Sequence, residues 1–587
     1  MLPPDHKSHS PSPDPATQPP ATAGALNSEQ LEIERLRQRL QQLELPQKAR
    51  ASLQRQLDHL EHAAPASLEF TRGRSHLDWA LELPWNPPAN PSEPQGFDHV
   101  AKTLAASHVG LEQVKERIAE ILAIRQLGGG ARGTVLCFDG PPGTGKSSMA
   151  RAVAAALGRE FVTIPVGAMI QERELVGASR REGACPGAIL SGLQRCGSSD
   201  PVILLDEIDK ICLGGEGTAA GALLLLLDPE HNTEFLDHYL ETPFDLSRCL
   251  FLATANETVD LPEPLLDRME VLSFNGYTEA QKFQIARRHL VPRAREHAGV
   301  NAKELKLSSG ALKAVIRGYT EEAGVRQLQR MLVSLARKAA VQVVQGGSGI
   351  QVLKKNLASF LGPRTVEEEM RLERPRVGCA TGLAWTSVGG ALLPIEALAM
   401  PGSGRMILTG QIGEVMRESV QTVVSHLRTC FGSLKLPQNL LEELDLHLHF
   451  PSAATPKDGP SGGIAIATAL VSLFTSTPAR HTVALTGEMS LHGAVLPVGG
   501  LREKLLAAIR CGIPEVVVPA RNAEDVLRLP AEIREKLIIH RVEDVKQALE
   551  LALLTRTHGN EKPAAKRPKA PHSKHPHAAT GGKEDVA

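Results

Sequence analysis

The chain has 587 residues, of which 42% are hydrophobic and 3% aromatic, and a formal net charge of −1. That length holds several domains with ample apolar material for buried cores, and the near-zero charge gives no chain-wide attraction to nucleic acid or a membrane surface. The eight cysteines show no CxxC or paired spacing, which argues against a zinc site and for small buried thiols in a reducing compartment. With no apolar signal core and no apolar run of membrane-spanning length, the chain reads as cytoplasmic and as having no membrane partner.

Residues 1–28 are rich in Pro, Ser, Thr and Ala and cannot bury enough apolar surface to order themselves, so they read as a disordered tail. From 29 to 100 the pattern is helical: Leu31, Leu36, Leu40 and Leu43, a break at Pro46, then Leu53, Leu57 and Leu60, with charges between. Residues 101–275 read as an α/β nucleotide-binding unit. An apolar strand, VLCF, runs into GPPGTGKS (Gly140, Pro141, Pro142, Gly143, Thr144, Gly145, Lys146, Ser147) and then a helix, which is the context a P-loop requires. Gly140 and Gly145 let backbone N–H groups wrap the phosphates of ATP, Lys146 reaches the outer two, and Ser147 offers a hydroxyl to Mg²⁺ at a helix N-terminus. A second apolar strand, VILLDE, delivers Asp206 to the metal and Glu207 to the attacking water at a sheet edge where such sites form. A third, LFLATAN, ends at Asn256, and PLLDRME follows with Arg268. Residues 276–350 are helical and carry Arg326; 351–375 form a charged, low-pattern linker.

The last folded region, 376–555, contains Ser461 in DGPSGG and Lys504 in GGLREKLLAAI. A serine among glycines sits in a tight turn that a substrate carbonyl can approach and that leaves N–H groups free for an oxyanion. It needs a base. A lysine opening an apolar helical run can lose its proton by desolvation and serve as one. In LDLHLHF, Asp445, His447 and His449 share one strand face; without a fourth ligand the strand reads as a polar border to the serine loop rather than a metal site. Residues 556–587 form a basic, His-rich tail, a disordered segment whose KPAAKRPK cluster is the only local support for nucleic-acid or polyanion binding.

The strings PKDGPSGG and GGLREK, with the P-loop before them, resemble the Lon family of ATP-dependent proteases from about Glu29 to about Leu554. The resemblance implies a multidomain α/β protein: an AAA+ P-loop ATPase with a parallel sheet and helical lid, then an α+β Ser-Lys peptidase domain. It implies Ser461 as nucleophile, Lys504 as general base, and Thr486, in LTGE, as orienting the lysine. It further implies Asn256 as positioning the hydrolytic water, Arg268 as reaching the neighbouring subunit's nucleotide in a homohexameric ring, and Arg326 as sensing nucleotide from the lid. The expected activity is threading and cleavage of misfolded or regulatory polypeptides; the competing reading is a remodelling ATPase or chaperone with weak or absent proteolysis. LDWALELPW looks like the helical segment that precedes the ATPase in this family, with the short tail where a globular N-terminal domain usually stands. One departure concerns the loop that grips polypeptide in the central pore, which corresponds to VGASRREGACPGAIL (Val176 to Leu190). There Arg181, Glu182 and Gly183 stand where a Tyr-Val-Gly-like element would be expected, so a weak puller is expected, one that degrades unstructured proteins but stalls on stable domains.

Overall fold

The computed structural model describes residues 28–64, 67–87, 96–127, 135–179, 184–212, 218–228, 230–256, 258, 261–366, 371–386, 389–434, 436–451 and 458–554. Apart from Ser28, which opens the first helix, both expected tails lie outside the described residues, as do Arg181, Glu182 and Gly183. The chain divides into two compact units, one running to Glu368 with Trp385–Gly389, the other made of Glu369–Ala384 and the chain from Gly390 onward.

The first unit opens with helices Ser28–Gln42, Gln47–His62 and Leu68–Leu81. The leucine spacing buries Leu36, Leu40, Leu53, Leu57 and Leu60 in a shared core, and Pro46, without an N–H to donate, sets the break between the first two. The third helix starts where the Ser67 hydroxyl accepts the Phe70 N–H at 3.0 Å. Five parallel strands follow in the order Phe161–Pro165, Val202–Asp206, Leu250–Ala255, Val135–Asp139, Met269–Ser273. Both faces of this sheet are covered: Leu136 and Phe138 join one core, Val135 and Cys137 another. That is why the strands read as continuous apolar runs instead of alternating ones.

The expected lid is helical (Glu279–Ile285, Val291–Ala298, Ser309–Gly318, Arg326–Val344) but also carries a two-stranded parallel sheet, Leu305–Leu307 with Ile350–Val352. A π turn spans Ala286–Leu290, where the Val291 N–H reaches back to Ala286 O. Pro292 follows directly, and having no N–H for the next helical bond it explains the slip in register. Part of the segment read as a patternless linker is folded: Leu357–Leu361 is a short helix, and Leu357 is buried in the lid core.

The second unit is built on seven strands in the order Met406–Thr409, Leu444–His449, Gly389–Pro401, Cys379–Thr386, Val483–Leu485, Glu515–Pro519, Ile538–Val542. Helices Glu414–Cys430 and Gly463–Thr475 pack with Val483 and Leu485 on one face, while Leu501–Arg510 packs with Ala484, Val516 and Val518 on the other. The expectation of uniformly buried cysteines is corrected. Cys137, Cys249 and Cys379 are buried, Cys196, Cys430 and Cys511 are half-buried and Cys185 is exposed, because the last four lie on helices' outer turns or at a loop edge. None of these seven forms a disulfide among the described residues. Among the described residues no helix is long and apolar enough to cross a membrane.

Candidate nucleotide and peptidase sites

Gly140, Gly143 and Gly145 all take positive φ (141°, 80° and 97°), and a Cβ at Gly140 would lie 2.2 Å from Phe274 O. Only glycine closes this loop, which leaves its amides lining the turn before the helix Lys146–Leu157. Lys146 is almost fully buried, and Nζ donates to Gly140 O, to Pro141 O at 3.2 Å and to Asn256 Oδ1 at 3.1 Å. Burial pulls its ammonium below the usual lysine range, while Asp139, Asp209 and Asp206 oppose the shift. Ser147 Oγ donates to Asp206 Oδ1 at 3.3 Å, so a hydroxyl and a carboxylate stand side by side beyond the helix N-terminus, the donor pair a small hard cation takes. Pro142 and the buried Thr144, whose hydroxyl donates to Pro141 O at 2.9 Å, complete the loop.

Sequence reasoning missed Thr254, a buried hydroxyl in an otherwise apolar strand. It donates to Asp206 Oδ1 at 2.6 Å and accepts the Glu207 N–H at 2.9 Å, fixing both acids at once. Glu207 has φ 59° and pairs with Lys210. His108 was also missed. Its Nε2 bonds Ser148 Oγ at 2.8 Å, and that hydroxyl donates to Gly145 O, so the imidazole braces the P-loop helix. Burial, with Lys115 adding to it, pushes its pKa down to about 4, so it is neutral at pH 7. The lid comes directly onto the loop. Val325 N–H donates to Gly143 O at 3.0 Å, which brings the exposed Arg326 to the phosphate cradle. Arg268, in contrast, is held within its own chain, on Asp228 Oδ2 at 3.3 Å and Pro264 O at 3.2 Å.

In the second unit Ser461 lies in a single tight turn, Pro460–Gly462, entered through Gly459 at φ 113° and leading into the helix Gly463–Thr475. Gly487 N–H donates to Ser461 O at 2.9 Å, which ties the serine turn to the residue after Thr486. Thr486 follows the strand Val483–Leu485; it is 0% exposed, and its Oγ1 has no partner among the described residues. The serine helix and the lysine helix cover opposite faces of that strand, so Thr486 sits between them. Lys504 is 2% exposed in the helix Leu501–Arg510, whose backbone presses so close on Gly390 that a Cβ there would lie 2.0 Å from Glu503 O. Burial brings its pKa from 10.5 down to about 8, against the pull of Glu503. Among the described residues no hydrogen bond joins the Ser461, Thr486 and Lys504 side chains. Beside the serine, Asp458 Oδ1 accepts the Met416 N–H at 3.0 Å and caps a helix whose own N-cap, Gly413, has no side chain. His447 and His449 both bond Thr409 Oγ1, at 2.9 and 2.7 Å, and Asp445 instead accepts the Ser403 and Arg405 amides. The three therefore do not converge, and among the described residues no His, Cys, Asp and Glu cluster can hold a metal.

Three family models match the chain: the Lon protease (S16) C-terminal proteolytic domain over residues 351–555, the ATPase family associated with various cellular activities over 136–277, and the Lon protease AAA+ ATPase lid domain over 296–352. Similar curated proteins include the Lon protease of Dictyoglomus thermophilum, 44% identical over 534 residues, which are 90% of this chain and 67% of that protein. The Lon protease of Roseiflexus castenholzii is 43% identical over 534 residues (90% and 66%), and that of Heliobacterium modesticaldum 44% over 533 (90% and 65%). The chain spans about two thirds of the length of these relatives.

Proposed function

The chain belongs to the Lon protease family, and from that premise we propose that it is an ATP-dependent serine endopeptidase that threads and cleaves misfolded or regulatory polypeptides. The observation that carries the reading is Lys504, a lysine almost wholly withdrawn from water and shifted to about 8, in a unit that also presents Ser461 in an open glycine turn. Ser461 Oγ attacks the scissile carbonyl, Lys504 takes its proton and returns it to the leaving amine, and amides of the serine turn hold the oxyanion. Thr486, with a buried hydroxyl that no other described residue satisfies, holds the lysine's amine in line.

The residues present fit ATP with Mg²⁺. The glycine loop cradles the phosphates, Lys146 neutralises them, Ser147 and Asp206 hold the ion, and Glu207 and Asn256 orient the attacking water. Bound there, the metal spreads the charge that develops as the outer phosphate leaves. Arg326 reads the nucleotide from the lid. Arg268 serves the nucleotide of a neighbouring copy once released from Asp228, so hydrolysis requires a ring of copies, and a homohexamer is the ring that the family resemblance implies. The absence of a disulfide among the seven described cysteines suits a reducing cytoplasm. The test is degradation of a permanently unfolded protein by wild type, Lys146→Ala and Ser461→Ala. Loss in both variants, with ATPase kept only in Ser461→Ala, is the expected result; cleavage by Ser461→Ala would overturn the reading.

A further inference from the structure

We infer that Asn522 is a positioning residue of the peptidase site: its side-chain amide pairs with the backbone of Val498 and so fixes where the helix that carries Lys504 begins. Asn522 is 4% exposed and lies in the turn Ala520–Asn522, directly past the strand Glu515–Pro519. Its Oδ1 accepts the Val498 N–H at 3.0 Å and its Nδ2 donates to Val498 O, also at 3.0 Å, across 24 positions of chain. The side chain thus takes the place of a neighbouring strand and satisfies both backbone groups of one residue. The second hydrogen of Nδ2 goes to Asp525 Oδ2 at 2.7 Å. A carboxylate only accepts, so this contact fixes which end of the amide faces which group.

Two glycines separate the clamp from the lysine helix. Gly499 and Gly500 follow Val498, and Gly500, at φ 63°, is the N-cap of the helix Leu501–Arg510 with no side chain to cap it. The Lys504 N–H donates to Gly500 O at 3.1 Å, the first backbone bond of that helix, so the place of Gly500 sets the place of Lys504. The strand leading to Asn522 is tied to the rest of the site as well. The Thr486 N–H donates to Val517 O at 3.0 Å, and the Gly487 N–H to Ser461 O at 2.9 Å. Asn522 therefore extends to the lysine helix the frame that already holds Thr486 and the serine turn. Without the clamp, the freedom of two consecutive glycines lets the helix start shift and admits water to the buried amine. The inference rests on the reading of Lys504 as the general base.

The test is Asn522→Asp in the full chain, read on cleavage of a short peptide across pH. The substitution keeps the shape but turns the donor into an acceptor, which sets an oxygen against both Val498 O and the Asp525 carboxylate. Peptide kcat should fall about tenfold or more, the scale of misplacing one catalytic group, while KM stays within about twofold. The midpoint of the pH profile should move up from about 8 toward the ordinary lysine value of 10.5, because the amine regains water while Glu503, the charge acting on it, stays on the same helix. Asn522→Ser adds no charge and is too short to span both backbone groups. It should move kcat and midpoint the same way, and it decides the matter if the Asp variant does not fold. Ile533→Ala is the control for stability alone: it empties a buried position in the core that the lysine helix shares, lowers the melting temperature and leaves the pH midpoint unchanged. A wild-type midpoint and kcat in the folded Asn522 variants, or an equal midpoint shift in Ile533→Ala, would overturn the inference. Lys504→Met separates it from the reading beneath it. If that variant still cleaves the peptide, the base reading falls and takes this inference with it. If it is inactive while the Asn522 variants behave as wild type, the positioning role alone falls.

Discussion

Raising the pH should switch the peptidase on along the titration of Lys504. The lysine works as a base only as the neutral amine, and its burial places the transition near pH 8. Roughly one molecule in ten then holds a neutral lysine at pH 7 and about nine in ten at pH 9, against about one in three thousand at pH 7 for a lysine left at 10.5. Cleavage of a short fluorogenic peptide, with ATP present and ATPase followed in parallel, should rise about tenfold from pH 6 to 7 and level off between about pH 8 and 9. The same burial has a stability cost. Folding lowers the pKa, so between about 8 and 10.5 the unfolded chain binds the extra proton and stability increases with pH. Below about 8 both states are protonated and the full penalty, about 3 kcal/mol, stands. Lys504→Met should therefore abolish cleavage while raising the melting temperature of the peptidase unit at pH 7. A flat pH profile, a rate still climbing tenfold per pH unit at pH 10, or a Lys504→Met protein that melts lower would refute the reasoning.

Thr486→Val replaces a buried, unpartnered hydroxyl by a methyl of the same shape, so the fold should lose nothing while peptide cleavage drops about tenfold or more; full activity would remove Thr486 from the site. Lys146→Ala should lose nucleotide binding, Glu207→Gln should bind ATP without hydrolysing it, and Arg268→Ala should bind but hydrolyse slowly. Mixing the last two in an exchanging assembly should regain ATPase activity at interfaces that combine both intact halves, and no recovery would count against a role in trans. Comparing degradation of an unfolded substrate with that of a tagged, stable domain should show a stall on the latter, relieved in Glu182→Tyr; rapid destruction of the folded domain by wild type would end the weak-puller idea.

The P-loop was legible because its constraint is local: three glycines at left-handed φ, a lysine and a hydroxyl within eight consecutive residues. Lys504 was legible for a similar reason, as an apolar helical run around one lysine foretells its burial. What escaped the reading depends on residues far apart in sequence. Nothing near Thr254 in the chain announces that it will clamp Asp206, 48 positions earlier, and Asn522 meets Val498 across 24. Nothing near His108 in the chain announces its partner either; only the fold sets it against Ser148, 40 positions later. Arg268 was read by what it would reach outward; its link to Asp228 arises from the strand and helix that bring residues 40 apart together. The π turn and the third N-terminal helix had local signals, Pro292 and the Ser67 cap, whose effect depends on the surrounding helix packing.

The central claim is that nucleotide hydrolysis in one unit drives cleavage at Ser461 in the other. Its most direct test follows the disappearance of a permanently unfolded protein, with and without ATP, by wild type and by Ser461→Ala, with ATPase measured in the same tubes. The account predicts cleavage by wild type that is strongly accelerated by ATP, and none by Ser461→Ala although it hydrolyses ATP at the wild-type rate. Equal cleavage with and without ATP, or ATP-driven cleavage by Ser461→Ala, would contradict it.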